Sequence, residues 1–133
     1  MTIRNNDRAF GILGKATVDL SITTDQPITL NLGAATKYIL GGATTAGSSM
    51  AFLITNCGSS NVAATGGLYR TAAKANAFTA VTTFTGLTGT VSDAQRVAVA
   101  STTSTYTANP VFFAMTAAGT GTADVYVFGI PLP

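Results

Sequence analysis

The sequence predicts an all-β fold, namely a single-domain antiparallel β-sandwich of jelly-roll type with about eight short strands. Its 133 residues suit one domain. Thr occurs 24 times, and its branched Cβ favours extended strands. Several short segments alternate apolar and polar residues between turns rich in Gly, Ser and Thr, and no helical pattern of about ten residues is visible.

The first two predicted strands lie on either side of a turn. Apolar and polar residues alternate over residues 17–23, which is typical of a half-buried strand. Residues 24–27, Thr-Asp-Gln-Pro, have the composition of a turn. Alternation then resumes over residues 28–32. We expect this pair to form either a hairpin or a corner between two sheets.

Four further strands are predicted in the middle of the chain. Residues 38–40 and 50–56 are apolar, and the longer run suits a central strand. Residues 67–72 follow a small, polar loop. The apolar residues of segment 78–85 have a spacing that would also suit a helix face, but its three β-branched Thr at positions 82, 83 and 85 favour a strand.

The last third of the chain contains three predicted strands. Alternating Val residues indicate a strand at 97–99, and residues 111–115 form a strongly apolar run. The clearest strand covers residues 122–129. Pro131 and Pro133 are expected to end its pairing because proline cannot donate a ladder hydrogen bond.

The two faces of the 122–129 strand differ in character. Val125 and Val127 point to one side, whereas Asp124, Tyr126 and Phe128 point to the other. The small β-branched pair is the natural core-facing set. We therefore expect the two aromatic side chains to lie on the outer face, where they contact another subunit or are covered by part of the same chain.

An amino-terminal arm is predicted over residues 1–15, with the sandwich domain at 16–133. The arm is either a frayed terminus or a segment that lies across a neighbouring subunit. We favour the second interpretation because Phe10, Ile12 and Leu13 need burial. Together with the outward aromatics, the arm supplies the predicted assembly interface: Arg4, Arg8, Phe10, Ile12, Leu13, Tyr126 and Phe128.

The composition argues against catalysis. The chain has neither His nor Glu, so catalytic triads, imidazole metal sites and glutamate pairs are excluded. Its acidic residues are five Asp, which lie in the arm, in strands and in turns and suit solvated or capping positions. The sequence GILGKAT at residues 11–17 lacks the spacing of a phosphate-binding loop. Cys57 has no basic neighbour that would activate it and suits a buried position. We expect no enzyme activity, no catalytic residue, no metal and no cofactor.

The charge pattern restricts the partners. Charged residues make up 9% of the chain, against about 25% in ordinary domains. Seven cations cannot neutralise many phosphates, so nucleic acid is not an expected partner. No apolar run is long enough for a membrane span or a signal peptide, so neither a membrane nor secretion is expected. A surface of Thr, Ser, Ala and Gly instead favours packing against other protein, because little must be desolvated or ordered.

Exposed tyrosines offer an alternative function. Tyr38, Tyr69, Tyr106 and Tyr126 could stack on sugars in a glycan-binding module. All four lie in or beside predicted strands, and Trp is absent. A position at the core edge or in a protein interface is therefore favoured for them.

The order of segments between residues 37 and 130 resembles that of known virion proteins. KYILGG, MAFLITN, GGLYRTAAK and TADVYVFG are similar to segments of small tailed-bacteriophage virion proteins of the head decoration, or cement, type. The resemblance implies a structural protein assembled in the host cytoplasm. It would bind the major capsid protein on the outer surface of the virion and bridge capsomers, often as a homotrimer. A tail, collar or fibre component is the nearest alternative.

Overall fold

The computed structural model describes residues 10–41, 49–100 and 104–132. These residues contain no helix, and so none that could cross a membrane. Their ten strands are β1 (Gly11–Asp19), β2 (Gln26–Ile28), β3 (Lys37–Leu40), β4 (Met50–Thr55), β5 (Thr65–Thr71), β6 (Ala75–Ala77), β7 (Thr82–Thr83), β8 (Ala94–Ala98), β9 (Val111–Ala117) and β10 (Thr122–Leu132).

The strands form two antiparallel sheets with jelly-roll connectivity. Sheet A has the order β1-β10-β4-β8, and sheet B has the order β2-β9-β5-β6. The chain is thus folded back on itself, since β1 pairs with β10, β2 with β9, β4 with β8 and β5 with β6. The predicted fold class is confirmed. Two short strands are added to this eight-strand framework, because β3 pairs with β10 and β7 with β5.

The core lies between the two sheets and is rich in aromatic side chains. Phe113 of sheet B packs edge-on against Phe52 of sheet A, with ring centroids 5.9 Å apart. Phe84 stacks beside Phe113 at 6.2 Å. All three are fully buried, and Val125 and Val127 lie in the same cluster. The described residues of the two sheets therefore enclose a continuous apolar interior.

The first strand differs from its prediction in position. It begins at Gly11 and ends at Asp19, so residues 11–15 of the predicted arm are paired in sheet A. Ile12 pairs with Phe128 and Gly14 with Val127, which leaves Leu13 as the extra residue of a β-bulge. β1 and β2 belong to different sheets, and the turn between them is therefore a corner.

The bulge depends on the glycine that follows it. A Cβ at position 14 would lie 2.7 Å from the carbonyl oxygen of Thr29. Asn31 N donates a hydrogen bond of 2.7 Å to Leu13 O across the same contact. The segment after β2 therefore approaches the edge of β1 closely only because residue 14 has no side chain.

The prediction that Pro131 ends the last strand is wrong. β10 continues to Leu132, and Pro131 lies opposite Tyr38 of β3. Gly41 N donates to Phe128 O, so alternate residues from 128 onward direct their backbone groups toward β3. Pro131 faces the other side, so its missing N–H costs no bond in the ladder with β3.

The predicted strand at 78–85 is also mostly irregular. Only Thr82–Thr83 forms a strand there, whereas Phe78 and Phe84 fill the core from loops. Phe84 N donates to Ala64 O, and Phe78 O accepts from Ala100 N, and both bonds lie outside the strand ladders. The short strand β6 was not predicted, because Ala-Asn-Ala has no apolar alternation.

Candidate interaction surface

The outward face of sheet A is the surface on which four of the predicted interface residues meet. Val125 and Val127 are fully buried, whereas Asp124, Tyr126 and Phe128 of β10 are half-buried on the opposite face. This is the orientation expected from the alternation. The surface is called the sheet A outer surface below.

One row of this surface crosses all four main strands. Lys15 of β1 lies opposite Tyr126, Tyr126 lies opposite Leu53 of β4, and Leu53 lies opposite Arg96 of β8. Lys15 Nζ lies 5.2 Å from the centre of the Tyr126 ring. The row therefore has an aromatic and an aliphatic side chain in the middle and a cation at each end.

On one side of this row the surface is apolar. Phe10 stacks on Phe128 with ring centroids 5.6 Å apart, yet Phe10 remains 46% exposed and Ile12 57% exposed. The pair Ile39 and Ile130 continues the surface on β3 and β10. We call this region, together with the row above, the apolar half; its apolar members are Phe10, Ile12, Ile39, Leu53, Tyr126, Phe128 and Ile130.

The structure brings together four of the seven predicted interface residues. Phe10, Ile12, Tyr126 and Phe128 share the apolar half. Leu13 does not, because the bulge turns its side chain inward, where it is 3% exposed and part of the core. The predicted residues Arg4 and Arg8 lie outside the described residues.

A depression beside the row was not foreseen from the sequence. It has a volume of about 540 Å³ and is lined by Met50, Leu53, Ala94, Gln95 and Arg96. Arg96 is exposed, and within the described residues no carboxylate pairs with it. The β4–β8 pairing that forms this depression is non-local, and no local pattern in the sequence indicates it.

On the other side of the row the surface is polar. Asp124 accepts a hydrogen bond of 2.7 Å from Thr17 Oγ1 and one of 3.0 Å from Asn56 Nδ2. These bonds, Thr17 first, lower the pKa of Asp124, and Lys15 with its Nζ 4.0 Å away adds to the effect. The carboxylate therefore fixes neighbouring strands of sheet A rather than projecting freely.

We expect the protein to lose stability in acid but not between about pH 5 and 8, where no His is present to titrate. Hydrogen bonds from Ser21 lower the pKa of Asp19, and those from Thr88 lower the pKa of Asp93. A carboxyl whose folded pKa is lowered stabilises the fold above its unfolded pKa and loses that effect as the pH falls through the folded pKa. The urea midpoint should therefore drop below about pH 4.

The variant Asp93→Asn provides the control for this acid effect. Thr88 N, Thr88 Oγ1 and Thr90 N all donate to Oδ2 of Asp93, and one amide oxygen can accept the same bonds. The variant should fold and show a shallower acid slope. If the urea midpoint of the wild-type protein rises as the pH falls from about 5 to about 3, the stabilising role of these carboxylates is contradicted.

The tyrosines do not present an open platform for sugars. Tyr38 and Tyr69 are buried, and Tyr38 donates a hydrogen bond of 2.6 Å to Ala108 O. Burial raises the pKa of both phenols. Tyr106 packs edge-on against Phe78, and Lys15 lies over the Tyr126 ring. Tyr38, Tyr69 and Tyr106 therefore serve packing within the domain, and the Tyr126 ring is partly covered by a cation.

Residues considered for chemistry occupy structural positions. Residues 11–17, GILGKAT, lie within β1 rather than in a loop. Cys57 is fully buried. Within residues 10–41, 49–100 and 104–132, no three His, Cys, Asp or Glu side chains are grouped so that they could hold a metal ion.

The connectivity of a jelly roll is shared by viral capsid and lectin domains, and a fold alone does not determine function. The sheet A outer surface is therefore the feature of this chain that bears on its function. No protein-family model matches the chain, and neither a curated protein nor a solved structure matches it.

Proposed function

We propose that this chain is a non-enzymatic virion structural protein that decorates the outer surface of a phage head. In this role it binds the major capsid protein through the apolar half of the sheet A outer surface and bridges capsomers as a cement protein. It acts as a homotrimer.

The observation that carries the proposal is an exposed apolar surface on a domain whose core is already complete. Phe10 and Ile12 remain about half exposed although Leu13, between Ile12 and the rest of β1, is buried. Exposed, contiguous apolar side chains of this kind mark protein interaction sites. The low content of charged residues supports the same role, because few groups lose hydration when the surface is covered.

Two alternatives use the same surface differently. A tail, collar or fibre component would also bind other virion proteins through it. A glycan-binding module is less well supported, because Tyr38 and Tyr69 are buried and the Tyr126 ring has a cation over it. A glycan array would detect that activity.

The proposal is tested by mixing the purified protein with heads of the phage that encodes it, followed by sedimentation. The wild-type protein should co-sediment with the heads. Ile12→Ser should weaken attachment, because Ile12 is 57% exposed on the apolar half. A loss of about tenfold in affinity is expected for an apolar side chain removed from an interface.

Val81→Ser is the matched control. Val81 is 56% exposed and lies beside β7, a strand of sheet B. Attachment should be unchanged in this variant, and equal losses in both variants would contradict the assigned surface. Sedimentation of the protein alone reports its mass, and a monomer at tens of micromolar would contradict the homotrimer.

A further inference from the structure

We propose that the apolar half binds an acidic segment of a different protein, which places an apolar side chain in the depression beside Leu53 and a carboxylate on Arg96. The inference rests on the proposed function, since it names the chemistry of the partner for that same surface. The partner is an acidic segment of a foreign protein and is neither a second copy of this chain nor a nucleic acid.

The cations of this surface surround its apolar side chains. Lys15 and Arg96 stand at the two ends of the row through Tyr126 and Leu53. Lys37 lies at the far end of β3, two residues from Ile39 and on the same face. Asp124 lies on the polar side of the row and already accepts two hydrogen bonds. An apolar patch with cations at its edges is complementary to apolar residues flanked by carboxylates.

A second copy packed face to face does not satisfy this charge pattern. A twofold axis parallel to the strands brings Lys15 of one copy opposite Arg96 of the other. A twofold axis across the strands brings each cation opposite its own equivalent. Both arrangements place like charges together, which disfavours the contact.

Within one chain Lys15 Nζ already lies 4.0 Å from Asp124, but the carboxylates are poorly placed to reach the cations of a second copy. In the described part of the chain, every Asp side chain is already held by neighbouring donors. Asp25 accepts hydrogen bonds from Ala73 N and Lys74 N, and Lys74 Nζ lies 3.5 Å from its other oxygen. The others are held as follows: Asp19 by Ser21, Asp93 by Thr88 and Thr90, and Asp124 by Thr17 and Asn56.

The spacing of the row restricts the shape of the partner. The backbone positions of Lys15 and Arg96 are separated by three strand-to-strand steps of about 4.8 Å each, or about 14 Å. Residues about nine apart on a helix or about four apart on an extended strand have a comparable backbone spacing. An apolar residue between them would lie over Tyr126 and Leu53, beside the depression of about 540 Å³.

Nucleic acid fits the surface less well. Its phosphates would find few cations, and Ile12, Leu53 and Met50 provide no aromatic face on which bases could stack. Phe10 and Phe128 already stack on each other. The exposed aliphatic side chains favour a protein segment instead.

The test is selection of random peptides by ribosome display on the immobilised wild-type protein. Recovered peptides should combine Asp or Glu with large apolar residues, and salt should weaken their binding. Arg96→Glu should lower the affinity for these peptides by about tenfold, the usual effect of one well-placed charge pair. Arg96→Lys should retain most of the affinity because it keeps the charge.

Arg70→Glu is the matched control, because it changes the net charge equally but lies in sheet B. It should leave peptide binding unchanged. Recovery of basic or uncharged peptides, recovery of no peptides, or equal losses in the two charge reversals would overturn the inference. Tight binding of oligothymidylate without recovery of acidic peptides would favour nucleic acid and overturn the inference. Self-association that Arg96→Glu abolishes, again without recovery of acidic peptides, would favour a second copy and overturn it as well.

The two proposals can fail separately. If the protein attaches to heads and Arg96→Glu attaches equally well at every salt concentration, the acidic partner is wrong and the decoration role stands. If acidic peptides bind the surface but heads do not, the decoration role is wrong and the chemistry of the surface stands.

Discussion

Val127→Asp should unfold the protein, whereas Tyr126→Ser, at the adjacent position, should leave it folded. Val127 is fully buried, and it lies opposite Phe52, which is also buried. An unpaired carboxylate there costs several kcal/mol, which is comparable to the whole stability of about 5–15 kcal/mol expected for a domain. Circular dichroism should show loss of the β spectrum at neutral pH.

Tyr126→Ser removes a half-buried ring from the sheet A outer surface. The lost contacts include the approach of Lys15 Nζ to the ring at 5.2 Å. We expect a cost of about 1–2 kcal/mol in urea unfolding, together with weakened attachment to heads. Val127→Thr is the control for size at the buried position, since it keeps the branched shape and adds no charge.

The opposite result would have a clear meaning. If Tyr126→Ser unfolds the protein and Val127→Asp does not, the two faces of β10 are reversed. The side chains assigned to the sheet A outer surface would then be buried in the core. Both proposals above would then lose their basis.

The sequence predicts features that depend on neighbours along the chain. Period-two alternation is local, and it predicts both the strand at 122–129 and the direction in which Tyr126 and Phe128 point. Alternation does not reveal that Leu13, which was predicted as an interface residue because it needs burial, lies in the core of its own domain. A bulge depends on the register between β1 and β10, which are more than a hundred residues apart in the chain.

The candidate surface was only partly predictable for the same reason. Phe10, Ile12, Tyr126 and Phe128 stand out as apolar residues without an obvious place in the core. Arg96 does not, because its relevance arises only when β8 pairs with β4 and sets it in line with Leu53. Neighbouring strands in a jelly roll come from distant parts of the chain, so alternation within one strand cannot reveal such a row.

A second residue whose role the sequence does not reveal is Asn61, whose buried side chain holds two loops together. It is 3% exposed, and it joins the loop after β4 to the turn between β9 and β10. Its Nδ2 donates to Thr120 O and Ser59 O at 3.0 Å and to Cys57 Sγ at 3.1 Å, while its Oδ1 accepts from Thr120 N at 2.8 Å. Gly119 is required beside it, because a Cβ there would overlap with Oδ1.

Asn61→Asp should therefore be strongly destabilising at neutral pH although the side chains have the same shape. The variant loses a donor shared by three acceptors and places a negative charge against the carbonyl oxygens of Ser59 and Thr120. We expect a cost of more than about 3 kcal/mol in urea unfolding at pH 7. Asn61→Leu, which leaves the Thr120 groups unsatisfied without adding charge, should cost about 2–3 kcal/mol at every pH.

The pH dependence separates charge from lost hydrogen bonds. Burial and the facing carbonyl oxygens raise the folded-state pKa of an Asp at position 61. The destabilisation caused by its charge is therefore complete above that raised pKa and disappears below the unfolded pKa of about 3.9. The difference in unfolding free energy between Asn61→Asp and the wild-type protein should therefore shrink as the pH falls from 7 toward 4. This is opposite to the acid sensitivity that Asp93 and Asp124 give the wild-type chain. A difference that stays constant over this range, as expected for Asn61→Leu, would mean that position 61 is hydrated and that Asn61 does not hold the two loops together.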